Sequence, residues 1–144
     1  MNSEEVYITN DFEETRELGE KFAKTLNGGE VLAMYGELGG GKTTFVQGLA
    51  LGLGIERRII SPTFIIMRTY DLKDKTFYHI DLYRTSSIKD IEGLGIDEIM
   101  GKANNILAIE WAEKMKEVLP DRRIDIFFKY LEDNKREIKI VKYE

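Results

Sequence analysis

The stretch from Gly36 to Thr43 constrains this chain most, because it matches the spacing G-x-x-x-x-G-K-[ST] of a phosphate-binding P-loop. Gly36 permits a sharp turn out of a strand, while Gly39, Gly40 and Gly41 let consecutive backbone N–H groups point at a phosphate chain. Such a loop leads into the first turn of a helix, whose unpaired N–H groups and positive dipole end favour anions. The motif therefore predicts a strand, a loop and a helix that together hold a nucleotide.

Side chains of the same segment are suited to a triphosphate and a divalent cation. Lys42 supplies a positive charge for the β- and γ-phosphates, and the Thr43 hydroxyl can coordinate Mg²⁺. The predicted nucleotide-binding segment also includes Glu37, Leu38 and Thr44.

The sequence on either side of the loop has the pattern that this mechanism requires. Residues 30–35 form a short apolar run, which predicts a buried strand. Apolar residues then recur at helical spacing, and Gly52 and Gly54 predict the end of the helix. These apolar residues are Phe45, Val46, Leu49 and Leu53.

Length and composition limit the class of protein. A chain of 144 residues predicts a single domain, residues 1–144, and 42% hydrophobic with 33% charged residues predicts a globular one. The absence of cysteine excludes disulfides and thiolate metal sites. No apolar run is long enough to span a membrane and no signal peptide is evident, so we expect a cytoplasmic protein. A net charge of −5 argues against stand-alone binding of nucleic acid.

The N-terminal segment predicts a short strand followed by a helix. Residues 6–8 suit a strand or an extended lead-in, and Asn10 or Asp11 suits an N-cap with a glutamate three residues later. The helix should cover residues 12–27 and pack on the sheet. Its start could lie near the nucleotide base, which makes Ile8, Thr9 and Phe12 candidate adenine contacts, although Phe12 suits a core position equally well.

The middle of the chain predicts a β-hairpin with polar groups on one face. A strand should follow Pro62 and run to about residue 70, with Thr63 at its edge, and residues 76–83 should return antiparallel to it. With no second histidine and no cysteine, His79 cannot belong to a histidine-based metal site, and a structural role is favoured. Asp81 either pairs with Arg84 or caps a helix, or it positions Mg²⁺ or water.

The C-terminal half predicts the second acid of the site. Residues 106–109 suit a buried strand that ends at Glu110, and in P-loop proteins such a strand lies beside the P-loop strand with its acid facing the metal. The alternative is a strand that simply ends at a solvated glutamate. Trp111 either packs or caps the site. Helices are predicted near residues 88–100 and 112–119, and a closing hairpin at 123–131 and 136–143.

These elements together predict an α/β, P-loop NTPase-like, three-layer fold with a mixed, partly parallel sheet and flanking helices. The chain lacks the guanine-reading Asn-Lys-x-Asp, so ATP is favoured over GTP. A small-molecule kinase needs an acceptor site and a lid, for which little length is left. A compact ATPase is therefore expected, with an ATP-dependent scaffold or a small-molecule kinase as the alternatives.

Four motifs together resemble one family. They are the P-loop at 36–44, Ser61-Pro62-Thr63-Phe64, His79-Ile80-Asp81-Leu82-Tyr83-Arg84 and Glu110-Trp111, and they resemble the TsaE family, formerly YjeE, of bacterial ATPases. The resemblance implies an ATPase required for threonylcarbamoyl modification of adenosine-37 in tRNAs that read codons beginning with A. It implies TsaB and TsaD as partners, with TsaC making the threonylcarbamoyl-adenylate.

The resemblance also implies roles for individual residues. Lys42 would bind the phosphates, Thr43 and Glu110 the Mg²⁺, and Asp81 the metal or the attacking water. Thr63 would lie in a switch-like loop, and Lys135 or Arg136 would contact the nucleotide. Gly40 departs from the alanine that the family often has there, which should loosen the loop slightly.

Overall fold

The computed structural model describes residues 2–37, 41–56, 67–86 and 88–144. Strands and helices alternate along most of the chain, as the predicted fold requires. The elements are β1 (Ser3–Thr9), α1 (Phe12–Ala23), β2 (Val31–Gly36), α2 (Lys42–Gly52), β3 (Met67–Asp71), β4 (Thr76–Asp81), α3 (Ile88–Glu92), α4 (Ile96–Ile99), β5 (Asn105–Glu110), a 3₁₀ helix (Ala112–Val118), β6 (Ile124–Tyr130) and β7 (Arg136–Lys142).

The seven described strands form one sheet in the order β1-β7-β6-β2-β5-β4-β3. Strands β6, β2, β5 and β4 run parallel to their neighbours, whereas the outer pairs β1–β7, β6–β7 and β3–β4 are antiparallel. The central strands β2 and β5 are largely buried, and the middle of each accordingly consists of apolar residues. The predicted mixed, partly parallel sheet is therefore confirmed.

Helices cover the central strands on both faces. On one face α1 and α2 pack on the sheet through apolar residues that include Phe22, Phe45 and Leu49. On the other face α3, α4 and the 3₁₀ helix pack on alternate residues of the same strands, through Ile91, Ile96 and Met115. Because successive strand residues point to opposite faces, β2 and β5 contribute to both cores. The arrangement is the predicted three-layer α/β fold.

Helix α1 begins at an N-cap that the sequence predicted. The Asp11 side chain accepts a hydrogen bond from the Glu14 N–H at 2.9 Å, and the Glu14 carboxylate accepts one from the Asn10 N–H at 2.9 Å. The predicted extent of the helix was too long, since α1 ends at Ala23 rather than near residue 27. Phe12 is 56% exposed, so the core position considered for it is wrong.

Helices α1 and α2 approach so closely that their backbones touch. A Cβ added to Gly48 would lie 1.8 Å from the Arg16 carbonyl oxygen, and one added to Gly19 would lie 2.3 Å from the Phe45 carbonyl oxygen. Only a residue without a side chain fits either position. This contact fixes α2, and with it the end of the phosphate-binding motif, against α1.

The two predicted hairpins are present with adjusted bounds. Strand β4 ends at Asp81 rather than at Tyr83, and β6 and β7 pair antiparallel across a short polar turn. The segment after Trp111 is a 3₁₀ helix with a kink at Met115, not a regular α-helix, and it ends before Pro120 as expected. Among the described helices, none combines the length and the apolar character needed to cross a membrane.

Candidate functional site

The candidate site lies where three parallel strands end. Strand β2 ends at Gly36, immediately before the loop that leads to Lys42 at the start of α2. Strands β5 and β4 end at Glu110 and Asp81, and these two residues are register partners in the sheet. The carboxyl edge of a parallel sheet is where α/β proteins bind their ligands, so the order of strands brings both acids to the motif.

Glu110 contacts the hydroxyl of the P-loop threonine. Thr43 Oγ1 lies 3.1 Å from Glu110 Oε1 and 3.2 Å from Oε2, which joins the start of α2 to the end of β5. Glu110 is only 3% exposed. The alternative of a strand ending at a solvated glutamate is therefore wrong.

The Lys42 ammonium group is held by the loop that precedes it. It donates hydrogen bonds to the carbonyl oxygens of Gly36 and Glu37, and its Nζ lies 3.9 Å from the centre of the Trp111 ring. Burial lowers the pKa of Lys42, while the nearby carboxylates of Glu110, Glu113 and Asp81 oppose that shift. A buried cation at a helix start is suited to a phosphate group.

Trp111 directly follows Glu110 and adopts a left-handed backbone conformation with φ of 60°. This conformation is unusual for a large side chain and costs about 1–3 kcal/mol when the surroundings impose it. The ring packs on Lys42 and on Tyr83, whose ring centre is 5.1 Å away. Trp111 thus packs against the site lysine.

Asp81 is 6% exposed at the end of β4. Its carboxylate accepts a hydrogen bond from the Tyr83 N–H at 2.9 Å. Burial raises the pKa of Asp81, and this hydrogen bond offsets part of the rise, whereas the charge of Glu110 adds to it. Two carboxylates so close together in a poorly solvated place are suited to share a cation.

His79 contacts the Glu110 carboxylate. The sequence analysis did not predict this contact. Its ring Nε2 lies 2.5 Å from Glu110 Oε2, and both side chains are buried. The predicted structural role therefore describes His79 only in part, because its ring also contacts a residue of the candidate site. The alternation of β4 carries the missing signal, because His79 stands two residues before Asp81 and must share its face.

A second group of residues lies beside the start of α2. Arg136 is the register partner of both Thr9 and Tyr130, and its guanidinium carbon lies 4.5 Å from the Tyr130 ring centre and 5.5 Å from the Phe12 ring centre. A Cβ added to Gly41 would lie 3.8 Å from Arg136 Cγ. Two of the candidate adenine contacts, Thr9 and Phe12, therefore lie with Arg136, a candidate nucleotide contact, next to the phosphate-binding motif. The third candidate adenine contact, Ile8, is 52% exposed on β1.

Two further residues of this group were absent from the sequence prediction. Thr15 binds Thr9 through their hydroxyl groups at 2.7 Å, and its methyl carbon would lie 3.5 Å from a Cβ on Gly41. Tyr130 stacks on Arg136. The short turn at 132–135 was the available signal for Tyr130, because a tight hairpin places residues 130 and 136 opposite each other.

The side chains of the site offer oxygen ligands, which Mg²⁺ prefers. Thr43, Glu110 and Asp81 present only oxygen atoms, which suit a hard divalent cation. Within the described ranges no cluster of three or more histidine, cysteine, aspartate or glutamate residues forms a complete metal cage.

Several predicted site residues fall outside the described part of the chain. They are Leu38, Gly39, Gly40 and Thr63. Thr44 lies in the first turn of α2, and Glu37 is exposed just after β2.

Comparison with known proteins gives a consistent result. The model of the family described as threonylcarbamoyl adenosine biosynthesis protein TsaE matches residues 9–138. A Treponema pallidum protein named tRNA threonylcarbamoyladenosine biosynthesis protein TsaE is 36% identical over 133 residues, covering 92% of this chain and 97% of that protein. A Bacillus subtilis protein of the same name is 40% identical over 126 residues, covering 88% and 78%. The crystal structure of B. subtilis YdiB superposes with a TM-score of 0.84 at 33% identity, over all of this chain and 88% of the other.

Proposed function

The chain belongs to the TsaE family, and from this premise we propose that it binds ATP with Mg²⁺ and hydrolyses the ATP during biosynthesis of threonylcarbamoyladenosine in tRNA. The role in tRNA threonylcarbamoyladenosine biosynthesis follows from the family. The hydrolysis, its cofactor and its residues are our proposal. We further propose that the modified nucleoside is adenosine-37 of tRNAs that read codons beginning with A.

One observation supports this proposal most. The Thr43 hydroxyl lies within 3.2 Å of both Glu110 oxygens, and Asp81 is the register partner of Glu110 on the next strand. A phosphate-binding loop alone accounts for nucleotide binding. A loop threonine in contact with one buried carboxylate and beside a second one is the arrangement that hydrolysis with Mg²⁺ requires.

Each polar side chain of the site has its own role in the proposed hydrolysis. Lys42 leaves the carbonyl oxygens of Gly36 and Glu37 and places its charge against the β- and γ-phosphates. Thr43 and Glu110 orient the cation, directly or through its water ligands, and Asp81 aligns the attacking water. When bound, Mg²⁺ supplies positive charge that stabilises the phosphate oxygens in the transition state. The backbone N–H groups of residues 36–44 hold the remaining phosphate oxygens.

The residues next to Gly41 would hold the nucleoside end of the ATP. Phe12 is exposed and offers a ring face, while the Arg136 guanidinium lies near both the Phe12 and the Tyr130 ring. Aromatic and guanidinium planes stack on a purine base without needing to read its edge. Thr9 is buried and acts by fixing the start of α1 through its bond to Thr15.

Partner proteins complete the proposed cycle. TsaB and TsaD would bind this chain and use its ATP turnover, with TsaC supplying the threonylcarbamoyl-adenylate and tRNA as the final acceptor, all in the cytoplasm. Thr63 would act in a switch-like loop that responds to the nucleotide. The isolated chain should hydrolyse ATP slowly, and its partners should accelerate it.

Steady-state release of phosphate from ATP, measured with TsaB, TsaD and tRNA, tests the proposal. We expect Mg²⁺-dependent turnover that falls at least about tenfold in Glu110→Gln, because a neutral amide cannot orient the cation as a carboxylate does. Modification that proceeds at the wild-type rate in Glu110→Gln without turnover would instead favour an ATP-dependent scaffold. Isotope-labelled γ-phosphate that appears in any acceptor other than water would favour a kinase.

A further inference from the structure

His79 makes one polar contact with the candidate site. It is fully buried in β4, and its Nε2 lies 2.5 Å from Glu110 Oε2. An ionised carboxylate only accepts hydrogen bonds, so toward an ionised Glu110 the donor is the Nε2–H of His79. The other ring nitrogen, Nδ1, is buried and has no hydrogen-bond partner among the described residues.

The Thr43 hydroxyl does not distinguish the two oxygens of Glu110. Its Oγ1 lies 3.1 Å from one and 3.2 Å from the other, and a hydroxyl group has a single hydrogen to donate. His79 contacts only Oε2. The orientation of the Glu110 carboxylate therefore depends on His79 rather than on Thr43.

A core-filling role does not account for this residue. Phe77, which lies two residues earlier on the same face of β4, fills the core without any polar atom. A buried ring nitrogen without a hydrogen-bond partner is destabilising relative to a satisfied one. An apolar ring at position 79 would leave no ring nitrogen unpaired. Among the described contacts, the hydrogen bond to Glu110 is the one that compensates for the unpaired Nδ1 of His79.

We propose that His79 is a positioning residue for the hydrolysis of ATP: it holds Glu110 Oε2 toward β4 and leaves Oε1 with Thr43 for the cation that accompanies the nucleotide. This inference rests on the proposed function, because it assigns how the Glu110 carboxylate is oriented for that reaction. In this role His79 acts through Glu110 and not by contact with the nucleotide or the cation. Groups that orient a ligating carboxylate commonly change metal affinity or activity by about 10- to 100-fold when removed.

Three variants separate positioning from packing. His79→Phe keeps an aromatic ring and removes the donor, whereas His79→Gln keeps a donor that can reach Glu110. Phe77→Leu is the matched control, because it disturbs the same buried face of β4 without altering a contact to Glu110. Thermal unfolding midpoints of all three report on packing damage independently of the site.

Binding of a fluorescent ATP analogue with and without Mg²⁺ gives the readout, together with kcat and KM for ATP in the presence of the partners. In His79→Phe we expect unchanged affinity without Mg²⁺, at least about a fivefold loss of the strengthening by Mg²⁺, and at least about a tenfold fall in kcat with little change in KM. His79→Gln should recover most of both effects. Phe77→Leu should unfold at a lower temperature and keep the wild-type Mg²⁺ effect.

The outcomes are decisive in each direction. A His79→Phe protein that keeps the wild-type Mg²⁺ effect and kcat would overturn the positioning role. So would a His79→Gln protein that folds but is as impaired as His79→Phe, or a Phe77→Leu protein that loses the Mg²⁺ effect to the same extent. A wild-type chain with neither Mg²⁺-dependent affinity nor turnover would overturn the proposed function itself.

Discussion

Asp81 and Glu110 stand directly opposite each other on neighbouring parallel strands, at the last residue of β4 and of β5. Both side chains are nearly excluded from solvent. A carboxylate prefers water, and the charge of Glu110 makes the ionised form of Asp81 still less favourable. The fold therefore keeps two acids together at a cost in stability, as expected of a site arranged for a cation.

The first prediction concerns that cost. Asp81→Asn should raise the free energy of unfolding of the nucleotide-free chain at pH 7 by up to about 1 kcal/mol, because it removes a buried charge and keeps the oxygen that accepts from Tyr83 N–H. The same variant should lose at least about tenfold in ATP turnover. Chemical denaturation and phosphate release measure the two effects.

The sign of the pH dependence provides a control for this prediction. A raised pKa means that folded Asp81 binds a proton more readily than the unfolded chain, so its unfavourable effect is absent at low pH and develops as pH rises through the folded pKa. The stabilisation by Asp81→Asn should accordingly shrink as pH falls toward the ordinary value of 3.8. If the stabilisation by Asp81→Asn stayed constant from pH 7 to pH 4, the buried charge of Asp81 would not be its cause.

Lys42→Ala should abolish detectable ATP binding, a loss of at least about 100-fold in affinity, because a buried ammonium group is removed from the phosphate site. Calorimetric titration with ATP and Mg²⁺ measures the effect. Lys102→Ala is the control, since this exposed lysine precedes the opposite, amino end of β5 and should bind ATP as the wild type does. If Lys42→Ala bound ATP with wild-type affinity, the assignment of this loop to the ATP site would be wrong.

The sequence predicted the centre of the fold and most of the candidate site for a clear physical reason. A glycine-rich loop between an apolar strand and a helix has few structural solutions, and an apolar strand ending in Glu110 fits beside it in only one way. The convergence of Lys42, Thr43, Asp81 and Glu110 follows from that topology. What these residues do chemically stays a prediction, as does the assignment of residues 1–144 to one domain.

Other features depend on tertiary contacts that local patterns indicate only in part. The hydrogen bond between His79 and Glu110 joins residues 31 positions apart, and the stacking of Arg136 on Tyr130 requires the exact register of β6 and β7. The exposure of Phe12 depends on how α1 lies on the sheet, because its position in the helix is compatible with either environment. The 3₁₀ helix after Trp111 reflects a kink at Met115 that helix propensity does not predict.

Phe12 tests the nucleoside end of the site. Phe12→Ala should weaken binding of ATP about five- to tenfold through the loss of a stacking surface, with no effect on binding of inorganic triphosphate, which has no base. Competition against a fluorescent ATP analogue compares the two ligands. Val118→Ala removes an exposed apolar side chain elsewhere and should change neither affinity. An equal loss for ATP and triphosphate would show that Phe12 acts through the loop rather than on the base.

Tyr35 should make stability sensitive to alkaline pH. Burial, reinforced by the charge of Asp125, raises the pKa of Tyr35 to about 12 from the usual 10.0. Between these values the unfolded chain loses the phenol proton before the folded chain does, so stability falls as pH rises. Between pH 9 and pH 11.5, the free energy of unfolding of Tyr35→Phe should fall by about 1 kcal/mol less than that of the wild type, after allowance for the partial exposure of Tyr35. Urea denaturation at both pH values checks this, with the exposed Tyr130→Phe as control.

Gly48 tests whether the position of α2 depends on its backbone contact with α1. Gly48→Ala should destabilise the fold by about 3 kcal/mol, because the added Cβ would lie 1.8 Å from the Arg16 carbonyl oxygen and cannot be accommodated without moving a helix. The same movement should displace Lys42 and Thr43 at the start of α2, so ATP affinity should fall as well. Gly93→Ala is the matched control, since a Cβ there meets no atom closer than 3.8 Å and should leave both stability and affinity unchanged. A Gly48→Ala protein with wild-type unfolding free energy but weakened ATP binding would show an effect on the site without a loss of packing, which would contradict the packing argument.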